Sequence, residues 1–102
     1  MNDPEPSLRK DAAPSVPELQ TDACEIIARI MAGGKAKHGE AVWFHRETVR
    51  HHADRVQRHV GTAMMIRDGN EPIRDGEDEV AHLERAFVRC LFALQKVKRG
   101  HS

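Results

Sequence analysis

Apolar residues recur at helical spacing in three stretches of the chain, and none of these stretches shows the alternation that is typical of a strand. The first stretch predicts a helix that begins between Glu18 and Asp22 and ends at the Gly33-Gly34 pair. Its apolar positions are Cys24, Ile26, Ile27, Ile30 and Met31.

The second stretch predicts a helix from about Arg46 to Arg67. A dense turn signal that contains Gly69 and Pro72 ends it. The apolar stripe of this helix is formed by Val49, Ala53, Val56, Val60 and Met64.

The third stretch predicts a long helix from Asp75 to Lys98, with acidic residues in its first turn and basic residues in its last. Its predicted buried face consists of Val80, Leu83, Phe87, Cys90, Leu91 and Leu94. Between the first two helices, Trp43 and Phe44 belong to a structured connection that packs against the helices. The sequence therefore predicts an all-α fold, a small three-helix arrangement in which a long antiparallel hairpin is braced by the first helix.

Residues 1–17 hold four of the five prolines and almost no large apolar side chain, so we predict a flexible N-terminal tail followed by a single helical domain over residues 18–99. A domain of this size buries a modest share of its surface. One copy is expected to leave apolar surface uncovered, and we therefore expect a homo-oligomer.

The chain of 102 residues has 16 basic and 16 acidic side chains and no formal net charge, so a nucleic acid polymer is not an expected partner. No apolar run has the length that spans a membrane, and the N-terminus lacks the features of a signal peptide. We expect a soluble, cytoplasmic protein with no membrane partner. Cys24 and Cys90 lie in apolar helical patterns, which favours two reduced, buried thiols over a disulfide or a zinc site.

The third helix begins with a cluster of acids. Glu79 and His82 are three residues apart and share one face, and the apolar pattern turns Glu79 towards the interior. With Glu77 and Asp78 it offers oxygen ligands for Mg²⁺ or Mn²⁺. The alternative is an acidic first turn that only complements the helix dipole, with His82 solvated.

The second helix carries His52 and His59 two turns apart, with Arg55 between them. Together with Lys37, these side chains are candidates for binding the phosphates of a nucleotide, while the acids hold the metal. They are equally well explained as polar residues at the edge of a helix interface.

Four short motifs occur in a fixed order: K-x-K-H-G-E-x-x-W over residues 35–43, R-H at 58–59, G-x-x-x-x-x-D over 69–75 and H-L-x-x-A over 82–86. In this order the chain resembles the phage dATP/dGTP diphosphohydrolase N-terminal domain family, an all-α nucleotide pyrophosphohydrolase-like group. The match covers about Ala23 to Lys98.

The resemblance implies a protein that acts on deoxynucleoside triphosphates with a divalent metal. Position by position, it assigns functional roles to Lys37, Trp43, His59, Asp75, His82 and Glu25. The chain departs from the family where Arg85 replaces the second histidine of H-L-x-H. Arginine neither binds a metal nor acts as a base near neutral pH, so we assign Arg85 to nucleotide binding.

Three functions are therefore compatible with the sequence. The first is a metal-dependent pyrophosphohydrolase, in which Glu79 holds the metal and His59 or His82 directs the attacking water. The second is a phage protein that binds or sequesters a nucleotide without cleaving it. The third is a helical module that binds another protein.

Overall fold

The structure, a computed structural model, describes residues 12–102. Residues 1–11 of the predicted tail lie outside these described residues. The described part of the chain forms four helices and no strand: α1 (Val16–His38), α2 (Val42–His45), α3 (Val49–Arg67) and α4 (Glu79–Lys98). The all-α prediction is confirmed.

Helices α3 and α4 form the predicted antiparallel hairpin. Each begins at a side-chain cap: Thr48 Oγ1 accepts the backbone N–H of His51 at 3.0 Å, and Asp78 Oδ1 accepts that of Ala81 at 2.9 Å. Where α3 and α4 pack together, Ala63 and Ala86 are both buried. Their small side chains allow the two helix backbones to approach closely.

Helix α1 packs across α4, and the core lies at this crossing. Ile26 contacts Val88 and Phe92 there, and the partly buried Ile27 and Ile30 pack against the same cluster. Ile26 is the one buried residue of α1. The predicted bracing of the hairpin by the first helix is confirmed, although the brace rests on a single segment of α1.

Helix α1 is longer than predicted at both ends. It begins at Val16, where Ser15 and Glu18 form a reciprocal capping box, and it continues through Gly33 and Gly34 to His38. The predicted end at the two glycines is wrong, because a glycine inside a helix costs only about 1 kcal/mol relative to alanine and does not force an end. The helix stops at Gly39, whose φ of 92° no helical residue adopts.

The predicted buried face of the third helix is also wrong. Val80, Leu83, Phe87 and Leu94 are exposed, and α4 instead buries Ala86, Val88, Phe92 and the aliphatic stem of Lys96. On α3 the C-terminal part of the predicted stripe, Val60 and Met64, is exposed as well, while His52 and Ala63 are buried. Periodicity locates an apolar stripe but does not determine whether the same chain covers it.

Both cysteines are exposed, which contradicts the prediction of buried thiols. Cys90 shares the exposed side of α4 with Phe87 and Leu94, and Cys24 lies on an uncovered side of α1. Within residues 12–102, every helix is too short or too polar to cross a membrane.

Candidate functional site

A groove of about 840 Å³ opens between the C-terminal half of α1, the short helix α2 and the side of α4 that faces them. Its apolar floor is built by Trp43 and Phe92, whose rings stack with centroids 4.1 Å apart and an angle of 11° between their planes. The charged and histidine side chains that line it are Arg29, Lys35, Lys37, His38, Glu40, Glu47, His59, Arg85 and Arg89.

Cations outnumber acids around this groove, and several of them are held by carboxylates at its rim. Lys35 pairs with Glu40 at 2.6 Å, and Arg85 pairs with Glu77 at 2.6 Å. Arg29 makes a two-point contact with Glu84 at 2.9 and 3.2 Å, which lowers the pKa of the Glu84 carboxyl. These pairs are partly exposed, so they are weak and can exchange their carboxylate for another anion.

The position of Trp43 is fixed from behind by a buried polar network. His52 is 0% exposed, and its Nε2–H donates to the Trp43 carbonyl oxygen at 3.1 Å. Its Nδ1 then accepts from Arg89 Nη1 at 3.1 Å, and the same arginine nitrogen donates to Glu47. Burial lowers the pKa of His52, so the ring is neutral at pH 7. His52 was predicted to contact a ligand, but the structure places it beneath the floor of the groove, where it positions Trp43.

His59 and His82 form a direct pair, in which the two Nδ1 atoms are 3.0 Å apart. One ring must donate and the other accept. Glu77 Oε2 lies 4.0 Å from His82 Nε2, which is too far for a hydrogen bond. In the tautomer in which His59 donates its Nδ1–H to His82 Nδ1, the Nε2 of His59 retains a free lone pair.

Burial, followed by electrostatic repulsion from the neighbouring His82 and from nearby arginines, lowers the pKa of His59 to about 4. His59 is therefore neutral at physiological pH. Because it also lines the groove, its neutral ring is available as a proton acceptor there.

The acids predicted to bind a metal are not brought together. Glu79 pairs with Arg67 at 3.1 Å, Asp78 caps α4, and Glu77 pairs with Arg85. Asp75 is exposed in the loop before α4.

Glu25 lies away from these acids, in a shallow depression on α1 that it shares with Glu18 and Asp22. Among residues 12–102, no group of three or more acidic, histidine or cysteine side chains is arranged to hold a metal ion. The predicted ligand set therefore does not fit a metal in this chain.

The groove does bring together four of the predicted site residues: Lys37, Trp43, His59 and Arg85. His82 reaches it only through His59, and Arg55 lies outside its lining and acts on it through charge, since it helps to lower the pKa of His59.

Sequence reasoning missed Arg29 and Arg89. Arg89 follows Arg85 by one helical turn, and this i, i+4 spacing was an available signal that the two share a face. Arg29 had no such signal, because its partner Glu84 is 55 residues away in sequence.

The family described as dATP/dGTP diphosphohydrolase, N-terminal, matches residues 6–102, nearly the whole chain. Neither a curated protein nor a solved structure shows significant similarity to this chain.

Proposed function

The chain belongs to the dATP/dGTP diphosphohydrolase N-terminal family, and on this premise we propose that it acts on purine deoxynucleoside triphosphates, which bind in the groove. The observation that carries the proposal is the combination of an aromatic floor with a rim of arginines and lysines in one cavity. Ligand pockets of this kind combine apolar walls with a few well-placed polar groups.

The rim suits a triphosphate. Lys37 and Arg85 lie on opposite walls of the groove, the first on α1 and the second on α4. Arg85 offers a planar fork for two phosphate oxygens, and Lys37 offers a point charge. In the free chain the carboxylates of Glu40 and Glu77 contact the rim cations Lys35 and Arg85. A bound phosphate would displace these carboxylates and form stronger charge-assisted contacts with the same cations.

The floor suits a base. Purines present the larger aromatic surface, and stacking of a base on an aromatic side chain contributes about 1–3 kcal/mol. The hydrogen bond from His52 already fixes the backbone of Trp43 in the free chain, so Trp43 loses little conformational entropy when a base binds.

We further propose that the chain hydrolyses the bound nucleotide, with His59 as the proton acceptor. The Nε2 of its neutral ring accepts a proton from a water molecule in the groove as the water oxygen attacks the α-phosphorus, while His82 fixes the ring through the Nδ1 contact. The bond from that phosphorus to the oxygen of the β-phosphate breaks, and pyrophosphate leaves. Because the acids of residues 12–102 do not assemble into a metal site, no step is assigned to a protein-held metal.

Binding without hydrolysis is the second candidate function. Two observations favour it. The groove wall carries Arg85, whose nitrogens neither bind a metal nor act as a base. The acids at the start of α4 are separated from one another, because Glu77 and Glu79 pair with arginines and Asp78 caps the helix. Both candidates use the same groove, so they differ only in whether the nucleotide remains intact.

One experiment tests the groove. The purified full chain is titrated with each of the four deoxynucleoside triphosphates, with Mg²⁺, with Mn²⁺ and with neither, while Trp43 fluorescence and the melting temperature are measured. We expect dATP and dGTP to quench Trp43, which is the only tryptophan, and to raise the melting temperature. Lys37→Ala is expected to weaken binding about tenfold, equivalent to about 1.4 kcal/mol.

Arg58→Ala provides the matched control, because Arg58 is an exposed cation that does not line the groove. Release of pyrophosphate in the same samples supports the hydrolase, and stabilisation with intact nucleotide supports the binder. Equal affinity of the wild-type chain and the Lys37→Ala variant would exclude the groove as the binding site.

A further inference from the structure

Lys96 is a charged residue in the interior of the protein. It is 5% exposed, and its Nζ donates to the Phe44 carbonyl oxygen at 2.7 Å. The same nitrogen lies 5.6 Å from the centroid of the Phe44 ring. Within the described part of the chain, the contacts of this ammonium include no carboxylate. Burial of a cation without a counter-ion costs free energy, so the stability of the fold does not explain a lysine at this position.

The helix that receives this hydrogen bond cannot hold itself in place. Helix α2 has four residues, and the residue before it, Ala41, has a φ of 54° and forms no side-chain cap. A single helical turn is not stable alone, and the last carbonyl groups of a helix have no partner within it. Side chains from other helices must therefore fix the position of α2.

Two donors from the hairpin bind adjacent carbonyl groups of α2. His52 on α3 donates to the Trp43 carbonyl oxygen at 3.1 Å, and Lys96 on α4 donates to that of Phe44. One hydrogen bond would leave α2 free to rotate about the contact, whereas two bonds to different helices define its orientation. The orientation of α2 in turn defines how the Trp43 side chain enters the groove.

The aromatic floor of the groove depends on the same side of α4 as Lys96. Phe92 lies one helical turn before Lys96, and its ring stacks on Trp43 with the centroids 4.1 Å apart. A shift of α2 relative to α4 therefore changes this stacking directly. Lys96 and Phe44 lie outside the lining of the groove, so Lys96 acts on the groove through Trp43.

The chain after α4 closes over the contact between Lys96 and Phe44. Gly100 has a φ of 76°, and the backbone N–H of His101 donates to the Lys96 carbonyl oxygen at 2.8 Å. The His101 ring then packs on Phe44, with the centroids 4.5 Å apart and an angle of 62° between the planes. This cover shields the hydrogen bond of Lys96 from water, and a shielded bond from a charged donor is stronger than an exposed one.

From these contacts we propose that Lys96 is a positioning residue of the groove, whose hydrogen bond to Phe44 holds Trp43 in the stacked orientation that receives an aromatic base. The effect on base binding rests on the proposed function, whereas the effect on Trp43 is a property of the free chain. A side chain that is already ordered favours binding, because ordering it at the moment of association costs free energy.

The first measurement is made on the full chain without ligand. Lys96→Met conserves the approximate length and volume of the side chain and removes its donor and its charge. The variant is expected to retain the helical circular dichroism signal and to show stronger quenching of Trp43 fluorescence by acrylamide, because the ring is held less firmly. Lys98→Met is the matched control, since Lys98 is an exposed lysine of the same helix, and it is expected to keep the wild-type quenching.

The second measurement compares two ligands by calorimetry. Inorganic triphosphate offers the rim of the groove phosphate groups without a base. Lys96→Met is expected to weaken the binding of dATP and dGTP about three- to tenfold, the loss that follows when one side chain must be ordered on binding. Its binding of inorganic triphosphate is expected to equal that of the wild type, whereas a general loosening of the fold would weaken both ligands alike.

Wild-type quenching in Lys96→Met, or equal losses of nucleotide and triphosphate affinity, would overturn the positioning role of Lys96. A wild-type chain that binds none of these ligands would refute the proposed function instead. The quenching measurement would then still decide whether Lys96 positions Trp43.

Discussion

The lowered pKa of His59 makes the stability of the protein depend on pH in a predictable way. Folding lowers the pKa of this ring from 6.5 to about 4, so the unfolded chain binds more protons than the folded chain between these values. The neutral His59 ring therefore contributes to the free energy of unfolding in full above pH 6.5, the pKa of the unfolded chain. This contribution is lost as the pH falls from 6.5 towards 4. Without screening, the loss between pH 7 and pH 5 is about 2 kcal/mol, at about 1.4 kcal/mol for each pKa unit.

The ring is partly exposed, so solvent screening reduces the expected loss to about 1–2 kcal/mol. The perturbation is His59→Gln, which retains a polar group near His82 and removes the titrating ring. The free energy of unfolding is measured by urea titration at pH 7 and at pH 5 for both proteins. The decrease between the two pH values is expected to be about 1–2 kcal/mol smaller in the variant.

His52 also has a lowered pKa, and it is present in both the wild type and the His59→Gln variant. Its effect on the free energy of unfolding cancels when the pH-dependent decreases of the two proteins are compared. Gln57→Asn, an exposed substitution on the same helix, is expected to keep the wild-type decrease. Chain concentration is held constant, because association stabilises the folded state by mass action. Equal decreases in the wild type and the His59→Gln variant would refute the argument that His59 is neutral in the folded chain at pH 5.

Three further predictions concern packing and backbone conformation, and each is measured as a change in the free energy of unfolding by urea titration at pH 7. Ala63→Leu inserts a large side chain at a fully buried contact of the hairpin and is expected to destabilise the fold by about 1–3 kcal/mol; no loss would contradict the close packing of α3 and α4. Gly76→Ala is expected to destabilise the fold by about 1 kcal/mol because Gly76 has a φ of 71°. Gly61→Ala, at a helical position with open space for a Cβ, is expected to stabilise the fold by about 0.5–1 kcal/mol. A stabilising Gly76→Ala together with a destabilising Gly61→Ala would contradict the backbone conformations of these two glycines. Arg29→Met is expected to leave the free energy of unfolding close to the wild-type value, since the Arg29 side chain is 61% exposed, and a clear loss would show that α1 depends on the ion pair with Glu84.

The helices were predictable because local signals determine them. The acidic start and basic end of α4, the turn around Gly69 and the long apolar repeats all act within a few residues, and the hairpin of α3 and α4 follows from them. The continuation of α1 through Gly33 was not predictable in this way. A glycine inside a helix carries a penalty of only about 1 kcal/mol, so the two glycines alone do not indicate whether the helix ends or continues.

The candidate site was predictable in part. Lys37 and Trp43 lie in one short motif, and His59 and His82 were recognised from their helix positions and the family resemblance. The role of His52 was not visible, because a histidine that donates to the backbone of Trp43 has the same sequence neighbourhood as one that contacts a ligand. The dispersal of Glu77 and the other acids into arginine pairs likewise depends on long-range contacts that spacing along one helix does not contain.

The anchoring of α1 by one buried residue affects how the protein moves. The C-terminal half of α1 forms a wall of the groove, yet the helix is fixed to α4 mainly around one crossing, through the packing of Ile26 and its neighbours and the Arg29–Glu84 pair. Local opening of α1 is therefore expected to cost less free energy than opening of the hairpin, and we expect backbone amides of α1 to exchange with solvent faster than those around Ala63 and Ala86. A ligand that contacts both Lys37 and Arg85 joins the loosely held wall to the rigid one, so occupancy of the groove and the folding of α1 are thermodynamically coupled.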